Sequence, residues 1–257
     1  LELIVVCITA LAASSLTLFS GFGLGTLLMP VIAIFFPLEL AIAMTAMVHL
    51  ANNLFKIGLL GRKADFSVLL KFGLPAVLAA FVGASLLSWL GAFQPLYEYT
   101  AFGRAIQVSA LKLVIGVLII LFVGLELSPS FSSIALDRKW LPVGGVISGF
   151  FGGLSGHQGA FRSMFLIKAG LGKESFVATG VVLAVMVDLS RLVVYGADIS
   201  FRNEIVNWPM VIAACAAAFA GAFIGTKILK KVTLRTVQIV VSALLVVVAA
   251  GLIMGLL

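Results

Sequence analysis

The sequence is poor in charge. Asp, Glu, Lys and Arg make up 11% of its 257 residues and hydrophobic side chains 62%, against about 25% charged in an ordinary soluble domain. With a mean hydropathy of +1.25, a soluble fold is excluded, and an integral membrane protein is the class that remains. Histidine and cysteine are scarce too, with two of each. Cys7 and Cys215 both lie in apolar stretches without a CxxC spacing or a neighbouring histidine, so neither a disulfide framework nor a metal site is expected, and both read as packing residues. Alternation of apolar and polar residues, which a membrane β-barrel needs, is missing from the apolar runs.

Those runs are long. No charged residue occurs in 3–38, 72–97, 140–161, 205–226 or 236–257, and each stretch has the roughly 20 residues that cross a bilayer as a helix. The net charge of +7 would suggest nucleic acid in a soluble protein. Here the basic residues sit singly or in pairs in short loops between apolar segments, so membrane orientation accounts for them and no nucleic-acid partner is expected. The N-terminal run lacks a basic leader and its glycine break recurs in the second half, so it reads as structure rather than as a signal peptide.

Sliding the chain by 135 residues aligns 20–66 with 155–201 without a gap. Ser20/Ser155, Gly21/Gly156, Met29/Met164, Ile32/Ile167, Glu39/Glu174, Ala43/Ala178, Leu54/Leu189, Gly61/Gly196 and Phe66/Phe201 coincide, and Asn53/Asp188 and Lys56/Arg191 match in kind. Each repeat opens with two short apolar arms around a glycine-rich break, 1–20 and 24–36, then 140–155 and 159–170. Three longer segments follow each pair, 39–61, 66–91 and 106–125 in the first half and 174–196, 207–229 and 235–257 in the second. The expected division is a first transmembrane repeat at 1–125, a linker at 126–139 and a second repeat at 140–257.

Basic residues fall on alternate loops in the two halves. Arg62 and Lys63 follow the first long segment, whereas the matching loop 197–206 sets Arg202 against Asp198 and Glu204; one loop later, Arg104 faces Glu98 while the partner loop carries Lys227, Lys230, Lys231 and Arg235. Equivalent loops thus prefer opposite sides, which predicts inverted repeats with an odd number of crossings each. Three long spans satisfy this if each pair of arms is a re-entrant hairpin. The expected fold is all-α, with two inverted repeats, six spans, two re-entrant hairpins, and the loops 62–65 and 227–235 on the cytoplasmic side.

The glycine breaks are the candidate substrate-binding elements: Gly21, Phe22, Gly23 and Gly25 in the first, Ser155, Gly156, His157, Gln158 and Gly159 in the second. A helix that starts after such a break points free N–H groups and its positive dipole at an anion. The competing reading is a small-residue packing surface, to which Gly83 and Gly221 are assigned. Neither a Rossmann spacing nor a P-loop lysine follows these glycines. Arg162, in the descending arm, costs roughly 2.5–3.5 kcal/mol at the membrane centre unless an anion, water or a carboxylate compensates it. His157 either donates and titrates or is simply a polar tip residue. Lys56 and Arg191 occupy matching positions near span ends; they either snorkel or line the two mouths of an anion path together with Asn53. Asp188 stands one turn before Arg191, as an ion pair would, and with His49 is the candidate for proton coupling; Asn52 adds a polar group to the same helix. Lys71 and Lys112 read as snorkelling. No arrangement for nucleophilic or acid–base catalysis is present, and neither an enzyme nor a cofactor is expected.

At these breaks the chain resembles the sulfite exporter TauE/SafE family, also called the 4-toluene sulfonate uptake permeases. Ser20-Gly21-Phe22-Gly23-Leu24-Gly25, Met29-Pro30 and the segment 43–61 are similar to that family's first repeat, and the two-repeat layout spans nearly the whole chain. The second repeat departs from the glycine triplet and proline, reading Ser155-Gly156-His157-Gln158-Gly159-Ala160-Phe161-Arg162-Ser163. The resemblance implies a secondary transporter of sulfite or an organosulfonate in the bacterial inner membrane, with a small anion and the lipid bilayer as partners; a homo-oligomer is compatible with it. The reading from a different class is a non-transporting membrane scaffold or assembly subunit, in which basic residues set topology and glycines pack helices.

Overall fold

The computed structural model describes residues 1–20, 24–101, 103–201, 205–228 and 234–257; side chains at 16–20, 59–60, 132, 200–201, 226–228, 234–238 and 240–241 are outside that description. The first half holds helices α1 (Glu2–Ser20), α2 (Leu24–Ala33), α3 (Leu38–Leu60), α4 (Phe66–Gly91) and α5 (Ala110–Leu127). The second holds α6 (Leu141–Ser155), α7 (Gly159–Leu166), α8 (Lys173–Phe201), α9 (Trp208–Ile228) and α10 (Leu234–Ile253). Five of these are long and apolar enough to cross a membrane: Leu38–Gly58, Phe66–Gly91, Ala110–Leu127, Lys173–Ile199 and Trp208–Gly225. The sixth expected span is α10, part of whose side chains lie outside the described ones. Leu78, Val117, Ile212 and Val247, from four different helices, are half or more exposed, as side chains facing lipid are. The chain is a multi-pass helical membrane protein.

Local chemistry sets the helix ends. Asp65 caps α4 by accepting from the Val68 N–H, and Ser109 caps α5 by accepting from the Lys112 N–H. Early in α4 the turn Leu69–Gly73 is π-helical. It ends two residues before Pro75, which has no N–H to give and whose ring crowds the carbonyl four residues back, so the wider turn relieves both. At Gly156 the backbone turns left-handed, with φ +81°, and its N–H closes α6 on the Gly152 carbonyl. That turn separates α6, about 22 Å long, from α7, about 12 Å long at 1.5 Å per residue. Both are too short for a hydrocarbon core of about 30 Å. In the first half α2, about 15 Å long, is too short as well.

Glycine faces decide which helices touch. A Cβ on Gly145, Gly149 or Gly153 of α6 would meet the Phe72, Ala76 or Ala80 carbonyl of α4 at 2.2, 2.1 and 2.1 Å, so only glycine allows that approach. Residue numbers rise together along both helices, which are therefore parallel. On the other side of the molecule, Gly221 and Gly225 of α9 meet the Leu11 and Ser15 carbonyls of α1 at 2.2 and 2.5 Å, again in parallel. Gly83 and Gly221, expected in packing, both stand at such contacts. Helices α3 and α8 are antiparallel, since His49 touches Asp188 while Lys63, just past α3, touches Glu174. So are α5 and α10: Gly116 abuts Ala249, and Gln107 abuts Gly255.

One element departs from the expected helices. Tyr97–Ala101 (β1) and Arg104–Val108 (β2) form an antiparallel hairpin in the loop before α5. It docks on the end of α10, where the Tyr99 hydroxyl donates to the Met254 carbonyl at 2.6 Å. Consequently α5 begins at Ala110 rather than 106. Of the two loops expected on one side, 62–65 is described and joins α8 through the Lys63–Glu174 pair, while most of 227–235 lies outside the described residues.

Candidate functional site

The second hairpin tip is where donors gather. Gln158 is held by its backbone, whose carbonyl accepts from Ser148 Oγ of α6 at 3.0 Å. Its side-chain Oε1 accepts from Arg162 Nη1 at 3.3 Å, one turn along α7. Gln158 Nε2 is buried and has no hydrogen-bond partner among the described residues; the same holds for His157 Nε2. The His157 ring stacks on Phe122 of α5, 4.9 Å between centroids and 10° from parallel, and its Nδ1 lies 3.1 Å from both the carbonyl and the hydroxyl of Ser155. Phe151 and Phe161 close around the same ring of aromatics, stacked on each other at 5.3 Å. These rings shield one flank of the tip, and its two orphaned nitrogens are buried, where an unmet polar atom is costly.

Behind the tip stands a charged cluster. Arg191 donates from Nε and Nη2 to Asp188 Oδ1, at 3.0 and 2.7 Å, so the ion pair expected one helical turn apart is present. A Cβ on Gly156 would come within 2.8 Å of Arg191 Nη1; the glycine lets the guanidinium lie against the tip. The second oxygen of Asp188 is 2.5 Å from His49 Nδ1, and Asn53 Nδ2 lies 3.2 Å from the same imidazole. Asp188 and His49 thus link α8 to α3 across the contact between the two halves. On the neighbouring face of α3, Asn52 accepts at Oδ1 from Ser14 of α1, while its Nδ2 and the Thr45 hydroxyl have no partner among the described residues.

Lys56 and Arg191 are not mirror images. Arg191 is 1% exposed and stands ten residues before the end of α8, inside the molecule rather than at a mouth. The expectation placed the helix end at Gly196. Glycine does not stop a membrane helix, and α8 runs on to Phe201. Lys56, four residues from the end of α3, is half-buried, and near enough to Arg162 for the two charges to repel. Among the described residues no carboxylate lies within ion-pair distance of Arg162 or Lys56. Of the first break, Gly21, Phe22 and Gly23 lie outside the described residues. Gly25 is inside α2, where a Cβ would make ordinary contact with Thr45 at 3.7 Å. Gly159 is the first residue of α7.

Two participants were not singled out from the sequence. The Tyr195 hydroxyl donates to the Gly153 carbonyl, pinning α8 to the glycine face of α6. Its spacing was a usable signal: Asp188, Arg191 and Tyr195 fall at i, i+3 and i+7, one helix face. Thr45 is the other, with nothing but a buried hydroxyl to mark it.

No curated protein and no solved structure matches the chain. The family described as sulfite exporter TauE/SafE matches it over residues 6–252, nearly its whole length. That match covers far more than half of the sequence, and the chain belongs to the sulfite exporter TauE/SafE family.

Proposed function

We propose that this protein is a secondary transporter that exports sulfite, or a related small sulfur oxyanion or organosulfonate, across the bacterial inner membrane. The observation that carries this reading is the tip of the second hairpin. Gln158 Nε2 is an unmet donor there, beside the buried His157 ring. Around them stand three cations, Arg162, Arg191 and Lys56, against one carboxylate, Asp188. A tetrahedral or pyramidal oxyanion supplies what the cluster lacks, several acceptor lone pairs and negative charge. In this reading Gly156 and Ser155 shape the tip, Gly159 opens the α7 N-terminus toward the anion, and Gly21, Phe22, Gly23 and Gly25 form the matching element of the first repeat. Asn53 and Lys56 line the path.

The transport mechanism we infer is alternating access between inverted repeats, 1–125 and 140–257, joined by the linker 126–139. Reciprocal packing supports it. Helix α1 lies on α9 as α6 lies on α4, both pairs parallel, whereas α3 with α8 and α5 with α10 are antiparallel. A two-fold axis in the membrane plane produces these relations. Arg62, Lys63, Arg138, Lys139 and Lys173 gather at the ends of α3 and α5 and the starts of α6 and α8, which supports a cytoplasmic position for that side in this reading.

Proteoliposome flux over a panel of sulfite, sulfate, thiosulfate and short sulfonates tests the reading. Sulfite should cross faster than in empty liposomes. Sulfite flux equal to the empty-liposome rate refutes the substrate, and no flux of any anion in the panel returns the protein to the scaffold class.

A further inference from the structure

The anion site as built leaves one buried ionisable group without a task. His49 is the middle residue of the 23-residue α3 and is 8% exposed. Its partner Asp188, near the middle of the 29-residue α8, is fully buried and already neutralised by Arg191 through its other oxygen. The Asp188–Arg191 pair carries no net charge, so the protonation of His49 alone decides whether the trio is neutral or cationic.

The geometry identifies which proton moves. A carboxylate only accepts, so the 2.5 Å contact requires a hydrogen on Nδ1 in either state of the ring. The variable proton is therefore the one on Nε2; Asn53 Nδ2 lies 3.2 Å from both ring nitrogens.

The surrounding charges make the proton conditional. On α3 itself stand Lys56 and, in the first turn, Glu39. From α8 come Asp188, Arg191 and Tyr195, from α7 Arg162, from the hairpin tip His157, and from α4 the exposed Lys71. Helix α2 has no titratable residue, and among the described side chains of α9 only Cys215 titrates. An anion at the tip is held better by a cationic cluster than by a neutral one, and a bound anion in turn favours the proton on His49. Two bindings that favour each other in this way are linked.

We infer that His49 is the coupling residue of the transporter: Nε2 takes a proton from water as the anion binds at the hairpin tip, and both are released on the other side. This rests on the anion-site reading above. No bond to the anion is made or broken; the proton adds to the Nε2 lone pair and returns to water. One proton moving with a dianion still carries net negative charge, which an inside-negative potential drives outward. His49 also bridges α3 and α8, so its charge acts on the contact between the two repeats.

Calorimetric titration of the detergent-purified protein with sodium sulfite, in buffers of different protonation enthalpy at a pH alkaline enough that sulfite itself does not titrate, measures protons taken up per anion. The wild type should take up about one, and its affinity should fall about tenfold for each pH unit in that range. H49Q should bind sulfite with no proton uptake and a flat pH dependence. Sulfite binding without proton uptake in the wild type, or proton uptake persisting in H49Q, overturns the inference while leaving the anion site standing. No binding heat at all sinks the anion site and the inference with it. If H49Q does not fold, imidazole 15N spectra of the wild type decide, because the protein has only two histidines and H157Q identifies the other. Sulfite should turn the His49 signal from neutral to cationic; no change, or a change at His157 alone, overturns the inference.

Discussion

Arg162→Ala separates an anion ligand from a structural arginine. The one hydrogen bond described for this guanidinium is a 3.3 Å contact to the neutral Gln158 Oε1, near the long limit for N–H···O. Among the described residues no carboxylate pairs with it, so its removal breaks no ion pair and relieves repulsion with Lys56. Folding should therefore be little affected. Binding should suffer, because a hydrogen bond to a charged group contributes about 1.5–3 kcal/mol, or about 10- to 150-fold in Kd. Arg162→Lys should recover part of this, since it restores charge without the planar fork. Calorimetry with sulfite on the folded, purified variants reads the affinities, and the thermal midpoint reads stability. The result that refutes the reasoning is wild-type affinity in a folded Arg162→Ala protein, most clearly if its midpoint has dropped. Lys71→Ala, at an exposed position, should match the wild type in both measurements.

Three further outcomes follow from the packing and the topology. Gly149→Ala should lower the thermal midpoint by a cost of about 1–3 kcal/mol, since its Cβ would sit 2.1 Å from the Ala76 carbonyl, whereas Gly58→Ala, with nothing within 4 Å, should leave it unchanged or slightly raised; equal midpoints for the two would contradict the close α4–α6 contact. Gly156→Ala should cost about 1–2 kcal/mol in left-handed strain and displace Arg191 Nη1 as well, so sulfite affinity should fall together with stability, and a variant that binds normally would detach the tip from the site. In a background with Cys7 and Cys215 replaced, single cysteines at 63 and 231 should react with impermeant reagent from the same side of the membrane and one at 100 from the other; labelling of 63 and 231 from opposite sides would overturn the inverted arrangement.

How much of this was written locally in the chain depends on the kind of feature. The glycine breaks and gaps between charges are local, and the arms and spans read from them fall close to α1–α10, with Leu141–Ser155 against 140–155 and Lys173–Phe201 against 174–196. The hairpin at 97–108 is short, and its strands pair through the turn at Gly103 and docking on the end of α10. Arg191 was misplaced for a physical reason: Gly196 was read as a helix end, and a bilayer suppresses the fraying that glycine causes in water, because unpaired backbone groups have no solvent to meet. The contact of His49 with Asp188 spans 139 positions and could not be found from the repeat. An offset of 135 identifies equivalent positions, and equivalent positions touch only where they flank the axis that relates them. His49 corresponds to Ala184, so its partner is no mate in the alignment. Asn53 and Asp188, which are mates, both reach the His49 ring. The imidazole therefore sits where the first and second halves of the chain meet, in reach of side chains from both.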